Sequence, residues 1–156
     1  MTGTTQFELE IKFKEANSGD PVTFKVDGER FKTNTKTIKF CSNVKYKIFI
    51  NVRPSVEFYH LRIAGSDLAL HTLNPTSGEY TAEWNTTGIN PTRQGQREDI
   101  ALALQGPCGT LRKVLQSKFY DKENSHAEWG HKLEALMFKC ATDGMGTITA
   151  SDEQYR

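Results

Sequence analysis

Three cysteines and four histidines are the side chains of this 156-residue chain with the chemistry for metal ligation or thiol reactivity. His126 and His131 stand five apart, with Cys140 beyond them. A zinc site needs three or four nitrogen and sulfur ligands converging on one tetrahedron, and no CxxC or HExxH spacing supplies the missing partners. Cys41, Cys108 and Cys140 are widely separated and odd in number, which predicts reduced thiols rather than a paired framework. The carboxylate pairs Glu98-Asp99 and Asp152-Glu153 are adjacent in sequence. On a strand, adjacent side chains point to opposite faces, so neither pair is set up for cooperative acid–base work. There is no phosphate-cradling loop, dinucleotide fingerprint or nucleophile elbow. These observations predict a protein without catalytic centre, metal or cofactor.

The remaining chemistry is charge. Between Phe31 and Val56 lie Lys32, Lys36, Lys39, Lys45, Lys47 and Arg53 with no acidic residue. Taking those six from the net +1 leaves a formal −5 for the rest. Lys45 and Lys47 share strand parity, so they project from one face while Val44, Tyr46, Ile48 and Ile50 point to the other. Such a strip is either a solvated face that discourages edge pairing or a docking surface for an acidic or phosphorylated segment. Basic and aromatic residues interleave in FKTNTKTIKFCSNVKYKIFI. An RNA-binding sheet, however, shows several exposed aromatics and a basic excess across the domain. With a pI near 7.7 and Phe40, Tyr46 and Phe49 placed as core or half-core residues, no nucleic-acid partner is expected.

The elements that must carry these residues are strands. QFELEIKFK at 6–14 alternates strictly, with Phe7, Leu9, Ile11 and Phe13 on one side. VTFKV and ERFKT flank Asp27-Gly28, a pair suited to a two-residue hairpin turn. Further alternating or β-branched runs occupy 37–40, 44–52, 56–63, 68–73, 80–84, 100–104, 111–120 and 133–140, the last with a helical alternative in LEALMF. Gly, Pro, Asn or Ser clusters separate most of them, which predicts an all-β, antiparallel sandwich or barrel. Residues 1–140 are expected as a single β domain and 141–156 as a polar C-terminal tail. No run reaches the length of a membrane span and the start has no signal-peptide pattern, so a cytoplasmic location without membrane insertion is expected.

Three collinear segments are similar to a known family. PVTFKVDGERF at 21–31, followed by KTIKF at 36–40, resembles the N-terminal hallmark of the cannabinoid receptor-interacting proteins. TTGINPTRQGQRE at 86–98 resembles their Gly-x-x-Pro-Thr-x-x-Gly loop, and VLQSKFYDKENSHAEWG at 114–130 their Lys-Phe-Tyr and Trp-Gly pair. The resemblance implies a cytoplasmic β-barrel shaped like the Rho GDP-dissociation inhibitors. It also implies a non-enzymatic adaptor that binds the C-terminal tail of a G-protein-coupled receptor, of cannabinoid-receptor type, and modulates its signalling. Candidate partner contacts are Lys25, Arg30, Lys45, Lys47, Phe119, Tyr120 and Trp129. Phe31, Phe119 and Trp129 are expected first of all to pack in the core or close a barrel end, and Asp27-Gly28 to make the turn. The alternative implied by the Rho-inhibitor likeness is a lipid chaperone with an apolar inter-sheet cavity for the prenyl or acyl chain of a lipidated peptide.

Overall fold

In the computed structural model, which describes residues 5–27, 35–74, 76–93, 96–124, 127 and 129–156, the alternating first run forms β1, Gln6–Glu15. Phe7, Leu9, Ile11 and Phe13 are buried and the residues between them face outward. On its flanks β1 pairs antiparallel with β4, Lys45–Arg53, and β11, Leu136–Thr142. The remaining strands are β2 (Thr23–Asp27), β3 (Thr35–Cys41), β5 (His60–Ile63), β6 (Ser66–Ala69), β7 (Glu79–Asn85), β8 (Glu98–Gly106), β9 (Gly109–Tyr120), β10 (His131–Lys132) and β12 (Gly146–Tyr155). Hydrogen bonding runs in the order β10-β2-β3-β9-β12-β11-β1-β4-β7, with β8, β5 and β6 branching from β9. Just past β6, His71 bridges back to Thr81 of β7, so the sheet nearly closes on itself. The all-β expectation holds, and LEALMF enters a strand rather than a helix.

Two details differ from the sequence reading. Nine of the eleven pairings among the described residues are antiparallel, but β9 runs parallel to β3 at one end and to β12 at the other. The segment expected as a polar tail contains β12, paired with β11 along most of its length. Its period was hidden by a bulge: Cys140 faces Ala150 and Lys139 faces Asp152, which leaves Ser151 as an extra residue and shifts parity by one. Past the bulge, polar side chains make the contacts. Glu153 pairs with Lys113 at 3.4 Å, and the Tyr155 ring lies 5.6 Å from that of Phe24 with the Lys36 ammonium 5.0 Å above it.

The second run of the expected hairpin, Glu29–Thr33, and its Gly28 lie outside the described residues. Thr23–Asp27 pairs with Thr35–Lys39, a register that sets Phe24 opposite Ile38. Both are buried.

The core is aromatic at one end of the shell. Phe40 meets Phe13, Tyr46 and Trp84 edge-on at 5.4, 5.6 and 5.1 Å between centroids and stacks on Phe119 at 5.6 Å. Edge-to-face pairs at such distances add attraction beyond the area they bury. Trp84, Phe13, Phe40 and Phe119 are all fully buried.

Candidate functional site

The outer face of β1, β4 and β7 collects lysines that are distant in sequence. Register places Lys12 opposite Phe49 and Lys14 opposite Lys47, and continues to Thr81 and Glu83 on β7. Lys45 lies two residues along the same face, opposite Asn85. The ammonium groups of Lys14 and Lys47 stand 5.8 and 5.3 Å from the centre of the half-buried Phe49 ring. A ring face attracts cations through its quadrupole, so Phe49 anchors both. Lys12 is 3.5 Å from Glu10 and Lys45 3.9 Å from Glu83. No ion-pair partner is found for Lys14 or Lys47 among the described residues. Like charges directly opposite one another on a sheet are destabilising. Lys47 has this like charge on one side and Glu83 opposite it on the other, so the repulsion bears mainly on Lys14, where an incoming anion would relieve it.

Beside this platform lies a concavity of about 420 Å³ lined by Lys47, Asp67, Leu68, His71, Thr81 and Glu83, among others. It occupies the gap between β6 and β7 beyond the His71–Thr81 bridge. Lys47 belongs to both the gap and the platform.

The residues expected as contacts are not all on this face. Lys45 and Lys47 are exposed on it. Lys25 is exposed on β2, opposite Thr37 of β3, in a different part of the sheet. Arg30 lies outside the described residues. Phe119 is 1% exposed within the aromatic core and offers no surface to a partner, which corrects its candidacy. Tyr120 is half-buried, with the ammonium groups of Lys39 and Lys118 each 5.5 Å from its ring. Trp129 is 57% exposed, and its carbonyl accepts a hydrogen bond from Lys39. Gly130, with φ of +130°, lets the chain pass Phe24, whose carbonyl oxygen would lie 2.7 Å from a β-carbon there. Of the six cations between Phe31 and Val56, Lys39 is buried and Lys36 lies over Tyr155, so they do not form one patch. Lys12 and Lys14 complete the platform from β1. Their alternation in QFELEIKFK was the available signal, but only the β1–β4 register shows that they join Lys47.

The family-like segments meet elsewhere, at the aromatic end. The Thr86 hydroxyl accepts from the Val44 amide at 2.9 Å and donates to the Cys41 carbonyl at 2.7 Å, which pins the β3–β4 turn. Thr92 grips Phe119 twice, its hydroxyl accepting from the Phe119 amide at 2.9 Å and its own amide donating to the Phe119 carbonyl at 2.8 Å. Burial here pushes the Tyr46 phenol far above its ordinary range, partly countered by the Cys41 amide that donates to it at 2.7 Å. Burial also pushes the Cys140 thiol up to about 11, against the pull of Lys113. Among the described residues no group of three or more His, Cys, Asp or Glu is placed to hold a metal ion. No helix of the described chain is long and apolar enough to cross a membrane.

Fold and surface together define an all-β shell protein with a lysine platform on its outer face. The family model described as CB1 cannabinoid receptor-interacting protein 1 matches residues 4–155, and the chain belongs to that family. It is 31% identical over 147 residues to the human CB1 cannabinoid receptor-interacting protein 1, covering 90% of this chain and 88% of the relative. The rat and mouse proteins of that name are each 32% identical over 148 residues with the same coverage.

Proposed function

We propose that this chain is a non-catalytic, cytoplasmic adaptor whose lysine platform binds the acidic C-terminal tail of a G-protein-coupled receptor and thereby modulates signalling. Relatives named for the CB1 cannabinoid receptor supply the class of partner. The observation that carries the surface is the Lys14–Lys47 pair seated on Phe49, neither ammonium within ion-pair distance of a carboxylate among the described residues. Charge complementarity at such a face raises the association rate and selects among tails. An acyl-chain chamber would need open apolar space between the strands. Phe13, Phe40, Trp84 and Phe119 occupy the aromatic end of that interior, so a plain peptide is the preferred ligand.

The test is calorimetric titration with synthetic tail peptides of the CB1 receptor, plain and acylated, at two salt concentrations. Binding of the plain peptide that weakens with salt supports the adaptor role. Tight binding of the acylated peptide alone supports a lipid carrier. Binding of neither overturns both.

A further inference from the structure

Among the described residues, hydrogen-bond parity along β7 singles out an unfilled edge. The Thr81 amide and carbonyl both bond to His71, each at 2.8 Å, on the side away from β4. Backbone groups alternate sides along a strand, so Glu83 and Asn85 also direct their amide and carbonyl away from β4. The facing strand obeys the same rule: the Leu70 amide bonds back to Tyr59, His71 bonds forward to Thr81, and Ala69 and Asp67 therefore face β7. Continuing the ladder would join Ala69 to Glu83. That pairing is not made: His71–Thr81 is an isolated bridge, and the strands part beyond it around the 420 Å³ gap. The floor there is Leu68 and Ala82, and the rim carries Lys47 together with Asp67 and Glu83.

We infer that this gap is a strand-addition site: an extended peptide pairs with the free edge of β7 at Glu83 and Asn85, beside β6. Main-chain hydrogen bonds supply the attachment, and alternate side chains supply the choice. Side chains of an added strand alternate between the floor and the rim. The occupant has a small apolar residue over Leu68 and Ala82; within the gap Lys47 shares the lining with the carboxylates of Glu83 and Asp67, so the acidic residues of the segment lie outward of it, over the platform. An unsatisfied strand edge is a template for pairing with another chain. Its placement against the lysine platform makes it the anchoring point for an acidic extended segment. The inference rests on the peptide-binding function proposed above and states how the backbone of that peptide is held.

The experiment is an N-methyl scan of the plain CB1-receptor tail peptide against the full chain, one backbone amide at a time, read by titration. Strand addition predicts a loss of tenfold or more at alternate amides and little change at those between, together with slowed hydrogen exchange at Glu83 and Asn85. A Glu83→Pro variant removes the outward amide without removing a β4 bond. It is expected to weaken the peptide about tenfold while keeping its melting temperature within a few degrees. A flat scan with binding still sensitive to lysine reversal overturns the strand site and leaves the platform standing. No peptide binding at all overturns both. Self-association of the free chain that is abolished by Glu83→Pro would assign the edge to a second copy and also overturn the inference.

Discussion

The shell is joined to itself in two places, and they are built differently. At the first, β12 lies between β11 and β9, paired through seven residues with one and three with the other, and Gly109 passes within 2.7 Å of Gly146 at the position a β-carbon would take. At the second, a single bridge from His71, just past β6, reaches Thr81 of β7. The first joint resists opening because ladder and packing act together. The second leaves donors and acceptors aimed into an open gap. Closure of a β shell is thus complete where the core requires it and incomplete beside the charged face, where an incoming chain can use the spare edge.

The largest test of that contrast is in the core. Trp84→Ala is expected to cost about 3–5 kcal/mol in denaturant unfolding, since it removes the largest fully buried side chain from the Phe40 cluster. At the tight joint, Gly109→Val is expected to lower stability by about 1–3 kcal/mol, because φ there is +136° and the Gly146 backbone occupies the space. At the loose joint, Thr81→Pro removes one bond of the bridge and is expected to cost only about 1 kcal/mol. A Thr81→Pro cost equal to that at Gly109 would erase the distinction.

The pH response sharpens the same contrast. Burial raises the folded-state pKa of Cys140 from 9.0 to about 11, so its contribution is complete below about pH 9 and is lost as pH climbs toward 11. The unfolding midpoint is expected to fall across that window, and Cys140→Ser should flatten the decline. At the β11–β12 turn, the Asp143 carboxylate accepts from the Met145 and Thr147 amides, which hold its pKa below the ordinary value. The sign is opposite there: its contribution is present above the ordinary carboxylate range and is lost on acidification through the lowered pKa. Faster amide exchange at Met145 in acid, relative to β1, is the expected and smallest effect.

Much of the shell was legible in the sequence because its strands alternate cleanly. Phe7, Leu9, Ile11 and Phe13, or Tyr46, Ile48 and Ile50, mark buried faces without help from the rest of the chain. What escaped detection had physical reasons. β12 shifts parity at Ser151, so its period of two is broken midway. The platform is a cross-strand object: Lys12 and Lys14 stand about thirty residues before Lys45 and Lys47, and only pairing register brings them together. The segments that betrayed the family supply Thr86, Thr92, Phe40 and Phe119, which build the aromatic end rather than the outer face. That is why Phe119 was a misleading candidate contact and why Lys14 was overlooked.

Lys14→Glu is the most direct test that the platform is kept for a partner rather than for the fold. It converts the Lys14–Lys47 like-charge pair into an opposite-charge pair, so unfolding stability should hold or rise by about 0.2–1 kcal/mol. Titration with the plain receptor-tail peptide at low salt should show affinity falling about tenfold, near 1.4 kcal/mol. An unchanged dissociation constant in a variant of undiminished stability would contradict the account.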